Sequence, residues 1–149
     1  MDLILWRHAE AEDAAAGGDA ARALTRHGKK QAERMGAWLR ARISDEWLVL
    51  SSPARRAVQT AKGLDMELEE REGLGTNASV ASVLREAHWP DGKRSVVVVG
   101  HQPTLGEVAV RLLGAREAIA FRKGAIWWFG ARGGEVVLRC VLDPDLVEP

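Results

Sequence analysis

The hydrophobic positions of this chain fall into short unbroken runs, separated by longer stretches where apolar residues recur at helical spacing. Leu3-Ile4-Leu5-Trp6 is one such run and Val96-Val97-Val98-Val99 another. A half-exposed strand alternates apolar with polar residues, whereas an unbroken run of this length reads as a strand covered on both faces. Strands are therefore predicted over Asp2 to Trp6, Trp47 to Leu50, Glu67 to Arg71, Ser95 to Val99, Ala125 to Phe129 and Glu135 to Leu142. Between the first two, Gly28 to Ile43 puts Ala32, Met35, Gly36 and Leu39 on one side. Lys29, Lys30, Glu33, Arg34 and Arg40 fall largely on the other, the pattern of an amphipathic helix. Further helices are predicted over Pro53 to Leu64, with Ser52 as N-cap and proline in the first turn, over Ala78 to Ala87, and over Thr104 to Leu113, stopped by Gly114.

Strands that alternate with helices imply an α/β fold in three layers, α/β/α, with a mostly parallel central sheet. The last two strands are joined through Gly130-Ala131-Arg132-Gly133-Gly134, which reads as a hairpin and adds a C-terminal antiparallel pair at one side. No composition shift or repeat divides residues 1–149, so a single domain is expected. Ala11 to Ala23, rich in Ala, Gly and Asp, is read as a surface loop near the end of the first strand.

Composition narrows the partners. Lys and Arg number 21 and so do Asp and Glu, so no global field favours nucleic acid or an anionic membrane, and any anion site must be local. The start lacks a basic, long-apolar secretion signal and no apolar run is long enough to span a bilayer, which gives a cytoplasmic expectation with no membrane partner. The single cysteine, Cys140, sits in a strand pattern and is read as a packed thiol. Six tryptophans stand against no tyrosine; in Trp127-Trp128, strand alternation puts one ring in the core and leaves the other partly exposed. No cluster of His, Cys and carboxylates has ligand spacing, so neither a metal nor another cofactor is expected.

Polar residues with chemistry in them gather where strands end. Arg7-His8 follows the first strand, Ser51-Ser52-Pro53-Ala54-Arg55-Arg56 the second, and Gly100-His101-Gln102-Pro103 the run of valines. Open α/β sheets bind ligands outside the carboxyl ends of their strands, so Arg7, His8, one of Arg55 and Arg56, and His101 are candidates to converge, with Ser52 adding a phosphate contact at a helix start. An arginine holds two phosphate oxygens at once and an imidazole can attack phosphorus, which makes phosphoryl chemistry the natural reading.

With Leu24-Thr25-Arg26-His27-Gly28 ahead of Gln31-Ala32, and Arg56-Ala57-Val58-Gln59-Thr60 after Ser52-Pro53, the ordered set from residue 3 to about 106 resembles the histidine phosphatase superfamily, of phosphoglycerate-mutase-like fold. Within it, the small size, the Gly-His-Gln-Pro form and the short middle region look most like SixA-type protein phosphohistidine phosphatases. The resemblance implies that His8 is the nucleophile that becomes phosphorylated, Arg7 and Arg56 clamp phosphate, and His101 is a second phosphate-binding histidine. Helix neighbours point about 100° apart, so Arg55 is left as a rim or solvated charge. Positive charge nearby is expected to lower the His8 pKa and free its attacking nitrogen.

Two departures from the family pattern matter. Ala9 stands where many members have glycine, so an ordinary φ is expected there. The middle region, where mutases and many phosphomonoesterases carry an acidic general acid, has no carboxylate from Leu74 until Glu86, and Glu70 and Glu72 are read as solvated. A missing acid favours a substrate that leaves without one: phosphohistidine on a partner protein, with inorganic phosphate as product. The alternatives are a small-molecule phosphomonoesterase using Glu72 or water as acid, and a non-catalytic phosphate- or phosphoprotein-binding module. Glu10 and Glu12 are read as solvated or arginine-paired, His27 as surface and His88 as part of a turn.

Overall fold

The computed structural model describes residues 1–148. Six strands form one sheet in the order β3-β2-β4-β1-β5-β6, from β1 (Asp2–Arg7), β2 (Leu48–Ser51), β3 (Glu69–Glu70), β4 (Val96–Gly100), β5 (Ile126–Arg132) and β6 (Glu135–Leu142). β3, β2, β4 and β1 run parallel, and β5 and β6 add the antiparallel pair at one side.

The unbroken apolar runs do what their pattern implies. Leu3 and Leu5 face one layer with Val96 and Val98, while Ile4 and Trp6 face the other with Val97 and Val99, and all are buried. The second layer is closed by Met35 and Leu39 of α1 (Arg26–Arg40) and by Ala57 and Ala61 of α2 (Arg55–Ala61). The first is closed by Val83 of α3 (Val80–Glu86) and by Leu105, Val108 and Ala109 of α4 (Thr104–Leu113). Three layers result, and no helix among the described residues is long and apolar enough to cross a membrane.

Element ends differ from the sequence reading for local reasons. α1 starts two residues early because Thr25 is its N-cap, accepting from the Gly28 N–H at 2.9 Å, an interaction typically contributing about 1 kcal/mol. α3 is shorter than expected because Ser79 caps it reciprocally with Ser82, a serine where the usual signature has Glu or Gln. β3 shrinks to two exposed glutamates at the sheet edge. β5 runs on through Gly130 to Arg132, leaving Gly133-Gly134, both at positive φ, as a two-residue turn. Trp128 is buried and Trp127 half-buried, stacked between Phe121 and Phe129 with centroids 5.0 and 6.3 Å away. Cys140 packs partly buried against the α1 side of the core.

Candidate functional site

The sheet register builds the site. Arg7 lies opposite Gly100, and Ser51 opposite Val99, so the next residues of β1, β4 and β2, namely His8, His101 and Ser52, emerge side by side. Two ladder-like bonds hold them there, His8 N–H to Gly100 O at 3.1 Å and Ser52 N–H to Val99 O at 2.9 Å. The His8 and His101 rings stand 5.3 Å apart between centroids.

His8 is 7% exposed, and its Nδ1 lies 2.8 Å from Ala9 O. A carbonyl only accepts, so Nδ1 carries the proton and Nε2 keeps its lone pair. Burial first, then the charges of His101, Arg56 and Arg7, push the His8 pKa down to about 3 against the backbone hydrogen bond to Ala9. Arginine charge therefore helps free the nitrogen as expected, but desolvation is the larger cause. Ala9 has an ordinary φ.

The segment after His8 is gripped by the motif residues around it. Thr60 Oγ1 accepts from Ala9 N–H at 3.0 Å and donates to Arg56 O at 2.8 Å. Gln31 Oε1 accepts from Glu10 N–H at 2.9 Å, and Gln59 Oε1 from Leu24 N–H at 2.7 Å. Gly28 lets α1 approach closely, since a Cβ there would lie 1.9 Å from Glu10 O. Glu10 is half-buried and accepts from the Thr25 hydroxyl at 2.8 Å instead of meeting an arginine; Glu12, His27 and His88 are exposed.

Helix phase separates the two arginines as anticipated: Arg55 is exposed and Arg56 is 3% exposed. Arg7, half-buried, donates from Nη1 to Phe121 O at 2.6 Å. Ser52 departs from its expected part. The α2 N-cap is Ala54, with no side-chain cap, because Ser52 still continues the β2 ladder and Ala54, at ψ 136°, is the last extended residue. The Ser52 hydroxyl, fully buried, is spent on His101 Nε2 at 2.7 Å and on the Ala54 N–H at 3.2 Å. Ser52 Oγ thus accepts from the Ala54 N–H and pairs with His101 Nε2, the tautomer of the ring setting which of the two donates. Burial, then the charges of Arg56 and Arg7, lower the His101 pKa to about 4, partly offset by Asp19.

Three buried nitrogens of this cluster have no hydrogen-bond partner: Arg7 Nε, Arg56 Nε and His101 Nδ1. Buried N–H groups rarely go without an acceptor, and the arginine nitrogens of this cluster are donors that an anion would use. The sequence reading missed two side chains here. Asp19 Oδ2 lies 3.1 Å from Arg56 Nη2, and Asp19 Oδ1 lies 3.0 Å from Arg22 Nε. Both come from the Ala11 to Ala23 loop, whose lack of periodicity hid them; their three-residue spacing, right for one turn, was the available signal. Of the middle-region carboxylates, Glu70 and Glu72 are exposed, and Glu69 and Glu86 both pair with Arg71. Among the described residues no group of three or more His, Cys, Asp or Glu is placed to hold a metal ion.

Comparison with known proteins agrees with this geometry. Residues 3–91 match the family model of the histidine phosphatase superfamily (branch 1). A phosphohistidine phosphatase SixA homolog of Haemophilus influenzae is 35% identical over 141 residues, covering 85% of each chain. The structure of the protein histidine phosphatase SixA complexed with tungstate superposes with a TM-score of 0.85 at 26% identity, covering 98% of this chain and 99% of that one. A phosphoserine phosphatase of Entamoeba histolytica, solved with 3-phosphoglyceric acid, has a TM-score of 0.73 at 20% identity over 95% of this chain and 96% of that one, a likeness of fold alone.

Proposed function

Because this chain belongs to branch 1 of the histidine phosphatase superfamily, we propose that it hydrolyses phosphohistidine on a partner protein, in two transfers through His8. In the first, His8 Nε2 attacks phosphorus while the bond from phosphorus to the substrate nitrogen breaks, its electron pair staying on that nitrogen. The substrate ring leaves as neutral imidazole when its other nitrogen carries a proton, as His8 Nδ1 does by donating to Ala9 O. Donor and acceptor are the same group, so no proton needs to move and no general acid is required. In the second transfer water adds to phosphorus, the bond to His8 breaks, dihydrogen phosphate leaves, and Nε2 regains its lone pair.

The remaining residues stabilise charge. Arg7, Arg56 and His101 Nδ1 supply donors around the equatorial oxygens, where in-line transfer concentrates negative charge. Ser52 acts through His101, fixing its ring by accepting from Ala54 and hydrogen-bonding Nε2. The observation that carries the choice of substrate is that Glu69, Glu70, Glu72 and Glu86 are each paired with Arg71 or exposed, with no glutamate buried beside His8. Asp19 does not replace them. Its slight burial would raise its pKa, but hydrogen bonds and charge from Arg22 and Arg56 hold it below the ordinary carboxylate value, so it has no proton to give near neutral pH.

Side-by-side kinetics test this reading. The expected result is a kcat/KM for a histidine-phosphorylated protein at least about ten-fold above that for a small phosphomonoester, one pKa unit's worth of barrier. A ten-fold preference for the ester would reassign the site to small substrates, and phosphate trapped on any residue but His8 would remove the mechanism.

A further inference from the structure

We propose that the Asp19 carboxylate is an internal occupant of the phosphate clamp, a specificity-setting residue that a phosphoryl group must displace and that closes again as product leaves. The proposal rests on the reading of Arg56 as a phosphate clamp. Its basis is that one anion already spans two guanidinium groups, Oδ2 on Arg56 Nη2 at 3.1 Å and Oδ1 on Arg22 Nε at 3.0 Å. A phosphoryl group offers the same pair of oxygens. The Asp19 carbonyl adds a third contact, accepting from Arg56 Nη1 at 2.9 Å.

The two partners are unequal in burial. The Arg56 side chain is 4% exposed and that of Asp19 61%, so Asp19 reaches the clamp from the solvent side and can leave with little loss of packing. Its loop is built for such movement. The base is pinned by a bridge between Ala11 and Leu24, by Glu12 N–H to Ala23 O at 2.8 Å, and by Arg22 Nη1 to Glu12 O at 2.9 Å. The tip is exposed, and the residue before Asp19 is Gly18, at φ +93° with no atom near its Cβ position. Opening therefore needs rotation at a permissive residue, with the base left in place.

Displacement selects by charge. A phosphoryl group carries close to two negative charges against the single charge of a carboxylate, so it wins the arginine pair where carboxylates and weaker anions do not. The closed form also weakens every anion's apparent affinity by the fraction of time it is occupied; closure for nine-tenths of the time costs about ten-fold.

The test is inorganic phosphate binding to the full chain by calorimetry at fixed ionic strength. Asp19→Asn is expected to bind phosphate about three- to ten-fold more tightly than the wild type and to lower KM for a histidine-phosphorylated protein in parallel. Asp13→Asn, on the same exposed tip, removes the same charge away from the clamp and is expected to leave affinity unchanged. Equal or weaker binding by Asp19→Asn overturns the proposal, as does equal tightening by Asp13→Asn, which would mean general electrostatics. If Arg56→Ala binds phosphate as well as the wild type, the clamp assignment itself fails, an outcome separate from failure of the latch.

Discussion

β1 begins on one buried ionisable group, Asp2, and delivers another, His8, just past its end, and the two ends treat them differently. At its start, the Asp2 carboxylate receives Arg132 Nη2 at 2.6 Å, Arg139 Nη1 at 2.7 Å and Trp128 Nε1 at 2.9 Å. Burial would raise the Asp2 pKa, but these three hydrogen bonds outweigh it and hold the group below its ordinary value. At the other end, Arg7, Arg56 and His101 each keep a buried nitrogen unpartnered. A satisfied network holds a fold together, whereas arginines gathered with N–H groups to spare suit the anion-binding part proposed for them. The charge is buried in both places, and only the state of its hydrogen bonds tells structure from function.

The sharpest way to break the contrast is at the unsatisfied end. His8→Ala is expected to lower kcat by about three orders of magnitude or more while thermal unfolding stays close to wild type, because the proposed nucleophile has no substitute. Retained activity would place the chemistry on another residue. The mirror experiment is Asp2→Asn, expected to cost about 1–3 kcal/mol of unfolding free energy with kcat/KM unchanged, since it strips charge from a network that touches no substrate. The Asp2 contribution is fully present above the unfolded carboxylate pKa of about 3.9 and fades as pH falls through the lower folded value, so wild type and variant should converge in stability in acid. A loss of activity that exceeds the loss of folded protein would erase the distinction between the two ends.

The smallest effect concerns protons. From pH 8 to pH 5 the imidazole NMR resonances of His8 and His101, with pKa values lowered to about 3 and about 4, should stay at their neutral positions. A free histidine, at about 6.5, would be mostly protonated at the lower limit. A midpoint near that value for either ring would remove it from the cationic cluster. Stability follows these shifts with the same sign as for Asp2, in a window at higher pH. The unfolded chain binds these protons first, so stability falls as pH drops below about 6.5 and continues to fall until the folded rings themselves titrate.

Much of the site was legible because it hangs on strand ends. Unbroken apolar runs located β1 and β4, their ends located His8 and His101, and the family resemblance picked Arg56, with helix phase leaving Arg55 to face away. Ser52 was misread as a helix cap because the serine-proline pair matches the signature of a helix start, while Ala54 stays extended and the hydroxyl turns to His101. Asp19 and Arg22 were invisible for another reason. They lie on a loop with no periodic burial, where position is set by contacts between the loop and the finished pocket, and those exist only once three distant strands are aligned.

Thr60 joins the two halves of the proposed chemistry through a single oxygen. Its hydroxyl sits between the amide that follows the nucleophile and the carbonyl of the clamp residue, 3.0 and 2.8 Å away. The spacing between attacker and clamp thus has a direct polar link in addition to the packing of Ala57 and Ala61 on the sheet. A change at this one hydroxyl is therefore felt at once by the segment that positions His8, which β4 holds through the His8 N–H, and by the first turn of α2, which carries Arg56.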